Sequence, residues 1–390
     1  MFEKTTAELE KMGAEITTRE IKQQPELWQE AFTYYQANEA RIQDFLEKVK
    51  ADATGRIRVV FTGAGTSQYV GDTIVPYLNE KGDQASYLFQ SIGTTDIVAS
   101  PRDYLFPEDT TILVSFARSG NSPESVAAVE VANQVVKNLY HLTITCAPEG
   151  ALAKAAAGDE RNLLLLMPSR SNDAGFAMTG SFSCMTLSAL LVFDTTATAK
   201  KADYVAGIQV LGQEVIQREA EIQAVIDRDF DRIVYLGSGS LAGLTREAQL
   251  KVLELTAGKV TTVFDSSMGF RHGPKSFVND KTLVFDFVNN RPYTRQYDLD
   301  ILEEVKADEI AAGVIAIGQK GDHNFSGDQF TFTAEVVALP EGYLALADIL
   351  FAQTVSLLTS IKVGNTPDTP SPSGTVNRVV KGVTIHPYQA

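Results

Sequence analysis

Two stretches of similar pattern decide the fold. Residues 56–72 read RIRVVFTGAGTSQYVGD, and residues 231–248 read DRIVYLGSGSLAGLTREA. Each starts as an apolar, β-branched run, passes through Gly-x-Gly and continues as a helical stretch, which predicts a strand, a tight turn and a helix. Because the pattern occurs twice, it predicts an internal duplication of one α/β unit.

Further apolar runs of strand length accompany both stretches. They are TILVSF, HLTITC and NLLLLM in the first half, and KVTTVF, TLVFDF and GVIAI in the second. The runs lack the polar alternation of a half-exposed sheet, which favours parallel strands buried on both faces with helices between them. We therefore predict an α/β fold of two tandem, doubly wound parallel-sheet domains.

The length of 390 residues exceeds what one hydrophobic core usually supports. Residues 1–50 are polar with apolar residues near helical period, and we expect an N-terminal helical segment there. The first and second α/β domains are predicted at residues 51–200 and 201–363. Residues 364–390 are rich in proline, glycine and serine, so we expect an irregular C-terminal tail, pinned over a site or disordered.

Composition excludes several classes of partner. A formal net charge of −15 argues against nucleic acid and anionic membranes, which need a basic surface. No run of eighteen apolar residues occurs, and the start MFEKTTAELEKMG lacks a secretion signal. Cys146 and Cys184 match no metal or redox spacing, and neither do the four histidines, so we expect a cytoplasmic protein without metal or other cofactor.

The first half contains a predicted anion site. One strand runs into Gly63-Ala64-Gly65-Thr66-Ser67, and another into Arg118-Ser119-Gly120-Asn121-Ser122. Ligands of open parallel sheets bind at the carboxyl ends of strands, where helix N-termini offer free N–H groups and a positive dipole end. Hydroxyls of Ser67, Ser119 and Ser122 and the guanidinium of Arg118 suit a phosphate.

Two other interpretations of these loops stay open. Ser122 before Pro123 is also an ordinary helix-capping pair. The sequence from Gly237 to Ala242 fits a loose dinucleotide fingerprint. That fit is weak because Gln68 stands where the first-half loop would need a third glycine, and Asp265 is late for a ribose contact.

The motifs GAGTS, ARSGNS and GFRHGP resemble the sugar isomerase (SIS) domain family, in the order of the isomerase half of glucosamine-6-phosphate synthase. With SPSGTVNRVVKGVTIHP at its end, the whole chain is similar to the tagatose-6-phosphate ketose/aldose isomerase group, whose activity is better described as galactosamine-6-phosphate deamination with isomerisation. The resemblance implies that Ser67, Arg118, Ser119 and Ser122 bind phosphate, although the synthase has glutamine in place of Arg118. It also implies substrate contacts by Thr66, Thr179 and Lys251.

Three residues are candidate catalytic groups. Glu254 shares one helical side with Glu247 and Lys251, a spacing that also fits a solvated salt-bridge stripe. Near a helix end packed on the sheet, desolvation would raise the pKa of Glu254 and suit it to proton transfer between carbons 1 and 2 of an open-chain sugar, the role that the family implies. His272 lies in a loop, and in the family this histidine opens the ring in the neighbouring subunit's site. Lys381 matches the family lysine that closes over the sugar.

The predicted reaction is deaminating isomerisation of galactosamine-6-phosphate to tagatose-6-phosphate and ammonia. The second-half loop Val288-Asn289-Asn290-Arg291-Pro292 lacks the serine cluster, so we expect one site per chain, with phosphate loops from the first half and catalytic groups from the second half and the tail. The working form should be a homodimer or a higher homo-oligomer. Plain ketose/aldose 6-phosphate isomerisation is the alternative, and a regulatory sugar-phosphate-binding protein is disfavoured because it would not need Glu254, His272 and Lys381.

Overall fold

Three helices precede the first strand in the computed structural model, which describes residues 1–380 and 382–389. They are α1 (Thr6–Met12), α2 (Glu15–Lys22) and α3 (Gln24–Asp52). Thr5 and Glu8 form a reciprocal capping box at the start of α1, and Gly13 ends this helix with a φ of 61°. The predicted N-terminal helical segment is therefore confirmed.

The first sheet is parallel, with the strand order β2-β1-β3-β4-β5. Its elements are β1 (Ile57–Thr62), α4 (Thr66–Lys81), β2 (Tyr87–Ser91), α5 (Thr94–Ala99), α6 (Pro101–Tyr104), β3 (Thr111–Ala117), α7 (Pro123–Val135), β4 (Leu139–Thr145), α8 (Ala151–Ala156), β5 (Asn162–Leu166) and α9 (Gly180–Phe193). The chain adds β2 on one side of β1 and β3 on the other. The topological switch point of this sheet, where successive strands are added on opposite sides, therefore lies between β1 and β3.

The second sheet repeats this order as β10-β9-β8-β6-β7, again parallel. Its elements are α10 (Thr198–Gln217), α11 (Glu219–Ile226), β6 (Arg232–Gly237), α12 (Ser240–Thr256), β7 (Thr261–Ser266), β8 (Thr282–Phe287), α13 (Pro292–Ala307), β9 (Gly313–Gln319), β10 (Asp328–Phe332) and α14 (Glu341–Lys362). The topological switch point of this sheet lies between β6 and β8. Two tandem, doubly wound parallel α/β sheets are the architecture that the sequence predicts.

Two compact units contain the two sheets. The first-sheet unit comprises Leu27–Asp173, Gly180–Thr198 and Val376–Ala390, and the second-sheet unit comprises Met1–Glu26, Ala174–Thr179 and Ala199–Thr375. The described part of the C-terminal tail forms neither helix nor strand. The domain boundaries at residues 51, 201 and 364 stay predictions.

Burial follows strand position within each sheet. Every residue of β1, β3, β4 and β8 is buried, as expected for strands covered on both faces. The edge strand β7 differs from its apolar appearance in the sequence, because most of its residues are partly or fully exposed and Phe264 is 42% exposed. The edge strand β5 alternates between buried and half-buried residues.

Helix α14 is the one described helix that is long and apolar enough to cross a membrane. Its apolar window is 94% buried inside the protein. It packs against α12 and α11 in the second-sheet unit. Core helices of large domains are apolar all round for this reason.

Candidate active site

The turn between β1 and α4 forms one side of the predicted phosphate site. A Cβ on Gly63 would lie 2.5 Å from the carbonyl carbon of Ser67, so only glycine fits there. Gly65 has a φ of 56°, in the region that favours glycine. Outside Gly65 and its two neighbours in the chain, no described atom lies within 4 Å of the position that a Cβ of Gly65 would take. Thr66 and Ser67 follow as the first two residues of α4, and both are buried.

The loop between β3 and α7 forms the other side. β1 and β3 are neighbouring parallel strands, so the loops that follow them lie at the same edge of the sheet, at its topological switch point. Arg118 is 6% exposed, Ser119 and Ser122 are half-buried, and Gly120 has a φ of 65°. All four predicted phosphate ligands are therefore in the first-sheet unit, at the end where such ligands bind.

Ser122 does not act as a side-chain cap of α7 in the described structure. It is the N-cap residue, and Pro123 occupies the first helical position, but no capping hydrogen bond from the Ser122 hydroxyl is found among the described residues. Proline at that position already removes one of the N–H groups that a cap would satisfy. The capping alternative therefore loses its structural support.

Arg118 is also a partner of the C-terminal tail. Its Nη2 donates a hydrogen bond to the carbonyl oxygen of Arg378. The guanidinium of Arg378 in turn donates to the carbonyl oxygen of Asp173, from Nε at 3.0 Å and from Nη2. These bonds hold the tail against the first-sheet unit three residues before Lys381. Lys381 itself lies outside the described residues.

Asp173 fixes the start of α9, beside the predicted contact Thr179. Its carboxylate accepts hydrogen bonds from the backbone N–H of Gly180 at 3.1 Å and from that of Ser181 at 2.9 Å. A carboxylate at a helix N-terminus is also stabilised by the helix dipole. Thr179 is 1% exposed, so it lies in the protein interior.

The second-sheet unit contains the charged face of α12. Nζ of Lys251 lies 3.3 Å from Oε1 of Glu247 and 2.6 Å from Oε2 of Glu254. Lys251 and Glu247 are fully buried, whereas the Glu254 side chain is 23% exposed. Burial alone would lower the pKa of Lys251, but attraction by Glu247 and Glu254 outweighs it and raises this pKa. Glu247 and Lys251 are therefore not part of a solvent-exposed row of salt bridges, because Lys251 is buried between the two carboxylates.

His272 lies in the loop that follows β7. A 3-10 helix, Gly269–Arg271, precedes it, and its side chain is exposed. Phe270 is fully buried and fixes one end of the loop in the core. Arg271 and Lys275 each donate a 2.6 Å hydrogen bond to Glu304 on α13. The loop is thus held on both sides of a histidine that projects outward, on a different element from Glu254.

A pair of buried carboxyl groups was not among the predicted site residues. The Ser267 hydroxyl lies 3.1 Å from Oδ2 of Asp286 and 2.7 Å from Oδ1 of Asp298. Burial raises the pKa of Asp286 well above its usual value, and the nearby Asp298 raises it further. Ser267 directly follows β7, so this pair fixes the start of the His272 loop. Isolated aspartates in strand and helix patterns give no sequence signal for such pairing.

No group of three or more histidine, cysteine, aspartate or glutamate side chains in the described part of the chain could hold a metal ion.

Arg378 and Asp173, which the sequence did not single out, are polar residues in loops. Asp173 precedes an apolar helical run, which is a recognisable capping signal. Nothing in the tail composition indicates the role of Arg378.

Comparison with known proteins gives three findings. Residues 54–193 match the SIS domain family. The D-galactosamine-6-phosphate deaminase AgaS of Escherichia coli is 45% identical over 381 residues, which cover 96% of each chain. The crystal structure of tagatose-6-phosphate ketose/aldose isomerase from Escherichia coli superposes with a TM-score of 0.85 at 42% identity, covering 96% of this chain and 97% of that one.

A more distant likeness concerns the fold alone. The C-terminal domain of glucosamine-fructose-6-phosphate aminotransferase from Francisella tularensis has a TM-score of 0.73 at 17% identity, over 90% of this chain and 96% of that chain. It has the tandem architecture that the sequence motifs indicate. The resemblance stated from GAGTS, ARSGNS and GFRHGP is confirmed.

Proposed function

Because this chain belongs to the SIS domain family and is homologous over nearly its whole length to D-galactosamine-6-phosphate deaminases, we propose that it converts galactosamine-6-phosphate to tagatose-6-phosphate and ammonia. The observation that carries this proposal is the pair of loops after β1 and β3. Ser67 follows β1, and Arg118, Ser119 and Ser122 follow the neighbouring parallel strand β3, so both loops lie at the same edge of the sheet, at its switch point. Such a cradle suits a phosphate monoester.

The phosphate would be bound by Ser67, Arg118, Ser119 and Ser122, with Thr66 and Thr179 contacting the sugar. In the open-chain form, carbon 2 loses its proton to Glu254 and carbon 1 gains a proton. The product of this transfer is an imine at carbon 2. Water adds to the imine carbon, ammonia leaves, and the ketose 6-phosphate remains. No redox cofactor is required, because the transfer moves protons and leaves the total oxidation state of the sugar unchanged.

Glu254 is the proposed base because its carboxylate is partly exposed, while its neighbours on α12 are enclosed. Lys251 holds Oε2 of Glu254 at 2.6 Å and is itself balanced by Glu247. The burial of Lys251 favours a positioning role through Glu254 over a direct contact with the sugar. General bases of this kind contribute roughly 10²–10⁴-fold to a rate.

His272 is proposed to assist ring opening from a neighbouring subunit of a homo-oligomer. Its exposure on an anchored loop supports this assignment. Mixing Glu254→Gln with His272→Asn subunits tests it. If the histidine acts across the interface, mixed dimers contain one site with both native residues, and about a quarter of the activity should return. No recovery after subunit exchange would contradict the assignment.

The proposed role of Lys381 is to close over the sugar, and it rests on the family resemblance. The bonds from Arg118 and Arg378 support it, because they hold the tail close to the phosphate loops. A cytoplasmic location is also proposed. It is supported by Cys146 and Cys184, which are free and buried, and burial raises the pKa of the Cys146 thiol to about 12.

Substrate assays test the function directly. The protein is supplied with galactosamine-6-phosphate, glucosamine-6-phosphate or tagatose-6-phosphate, and both ammonia and ketose 6-phosphate are measured. Equal amounts of ammonia and tagatose-6-phosphate from the galacto sugar are expected. Interconversion of tagatose-6-phosphate with its aldose, without ammonia from either amino sugar, would favour plain isomerisation.

A further inference from the structure

The second sheet contains a copy of the glycine turn that forms the proposed phosphate site. Gly239, between β6 and α12, has φ 60° and ψ −128°, and Gly65 has φ 56° and ψ −127°. Both turns lie beside the topological switch point of a parallel sheet. The space above them differs. A Cβ on Gly239 would lie 2.6 and 2.8 Å from the two carboxylate oxygens of Glu341, whereas a Cβ on Gly65 would have no described atom within 4 Å apart from those of the adjoining residues.

The Glu341 carboxylate is bound by the loop that follows β8. Nδ2 of Asn289 donates a hydrogen bond to Oε2, and Nη2 of Arg291 lies 3.3 Å from Oε1. Arg291 precedes Pro292 at the start of α13, the position that Ser122 has before Pro123 in the first sheet. Glu341 is 1% exposed. The groups around this carboxylate therefore correspond to those proposed around the phosphate in the first-sheet unit.

Simple capping does not account for this arrangement. Glu341 is the first residue of α14, but its carboxylate is bonded to Asn289 and Arg291 rather than to its own helix. A buried carboxylate is costly unless it is paired and hydrogen-bonded. Here the glycine turn, the N-terminal end of the 17-residue α12, an amide and a guanidinium offset that cost.

A second observation indicates that the turn can serve an additional acceptor. Ser240, the residue after Gly239, is fully buried, and its hydroxyl has no hydrogen-bond partner among the described residues. A carboxylate has two oxygens, while a phosphate monoester has three non-bridging oxygens and inorganic phosphate has four. The Ser240 hydroxyl is therefore a hydrogen-bond donor beside the turn that a phosphate could use and the Glu341 carboxylate does not.

We propose that the β6–α12 turn is a second phosphate cradle, held closed by the carboxylate of Glu341. In the second-sheet unit, the Glu341 carboxylate then occupies the position that a ligand phosphate would take. Loss of that carboxylate should open the cradle to inorganic phosphate and to phosphate monoesters. This proposal concerns binding alone and holds whether or not the chain deaminates an amino sugar.

Equilibrium dialysis with radiolabelled inorganic phosphate tests the proposal on the full chain. Glu341→Ala should bind one phosphate per chain more than the wild type. The double variant Glu341→Ala with Arg291→Ala should lose this increment, because the cation that faces the anion is absent. Glu221→Ala is the matched control, since it also removes one negative charge beside an arginine, Arg218, but belongs to α11 and not to the groups around the Gly239 turn.

A folded Glu341→Ala variant that binds no more phosphate than the wild type would overturn the proposal, as would an equal gain in Glu221→Ala. If Glu341→Ala is unstable, its melting temperature is measured with and without phosphate, together with Glu341→Ser. Phosphate should then raise the melting temperature of both variants more than that of the wild type. Failure of phosphate to restore either variant would count against an anion cradle.

Discussion

The turns at Gly65 and Gly239 have the same backbone angles, follow the same strand of equivalent sheets and begin the same kind of helix. They differ in what lies above the glycine. Outside the adjoining residues, no described atom lies within 4 Å of a Cβ position at Gly65, whereas the Glu341 carboxylate fills that position at Gly239. A backbone motif thus defines where an anion can bind, while one side chain far away in the sequence decides whether the position is available.

The helices that follow the two turns also differ, in the charge of the side chains at matching positions. Counting from the first helical residue, Thr73 and Tyr77 of α4 occupy the positions of Glu247 and Lys251 of α12, and all four are buried. The α4 side chains are uncharged, and the Tyr77 hydroxyl donates a 3.0 Å hydrogen bond to the carboxylate of Asp194. The α12 pair is charged and fixes Glu254. The unit with the open turn is suited to binding, and the unit with the closed turn is suited to proton transfer.

Replacing the buried cation is the largest expected change in stability. Lys251→Met should lower the free energy of unfolding by about 3–5 kcal/mol, because it leaves the Glu247 and Glu254 carboxylates unpaired. Tyr77→Phe, at the matching position of α4, should cost only about 2 kcal/mol for one lost hydrogen bond to a carboxylate. Denaturant unfolding measures both. A smaller loss for Lys251→Met than for Tyr77→Phe would refute the proposed division.

The two arginines beside the turns should respond differently. Arg118→Gln should raise KM for the amino sugar phosphate roughly ten- to hundredfold, because it removes a charge-assisted hydrogen bond to the phosphate. Arg291→Gln should leave KM unchanged, since Arg291 pairs with Glu341 and not with the substrate. Steady-state kinetics of both variants provide the measurement. Equal increases in KM for the two variants would contradict the proposal that only the first turn binds the substrate phosphate.

A smaller effect is expected from Asp286, whose partner in β6 is Leu236 in the second sheet. In the first sheet the corresponding pair is Thr62 and Ser115, so a neutral serine occupies the matching position. Burial, and then the nearby Asp298, raises the folded-state pKa of Asp286, so its proton leaves the unfolded chain first. The stability it contributes is complete below pH 4 and falls as pH rises towards the folded-state pKa.

Asp286→Asn, which is neutral at every pH, should lack this loss. The variant should therefore gain stability relative to the wild type with rising pH above about 4, by at most about 1.4 kcal/mol for each pH unit. Unfolding free energies measured between pH 5 and 8 test the sign. A difference that is constant over that range would mean that Asp286 is charged in the folded protein.

The sequence predicts the regular features of both sheets, because apolar runs and glycine turns follow from local requirements of strands and tight turns. The edge strands β2 and β10 are not predicted, since YLFQS and DQFTF are short and partly polar. The buried interior strands give the clearest patterns. Exposure of β7 is also not predicted, because an edge strand and an interior strand can have equally apolar sequences.

At the candidate site, the sequence predicts the polar residues after β1 and β3 and the helical spacing of Glu247, Lys251 and Glu254. It does not predict that Lys251 is enclosed, since burial depends on the packing of α14 against α12. The contact of Glu341 with the Gly239 turn is likewise invisible in the sequence. The residues Pro340-Glu341 read only as a usual helix start.

The most direct test uses Glu254→Gln with galactosamine-6-phosphate, measuring both the sugar phosphate bound per chain and the ammonia released. The variant should bind one sugar phosphate per chain, at the open turn, and should release ammonia about 10²–10⁴ times more slowly than the wild type. Undiminished ammonia release would contradict the role of Glu254. Binding of two sugar phosphates per chain would contradict the closed second turn.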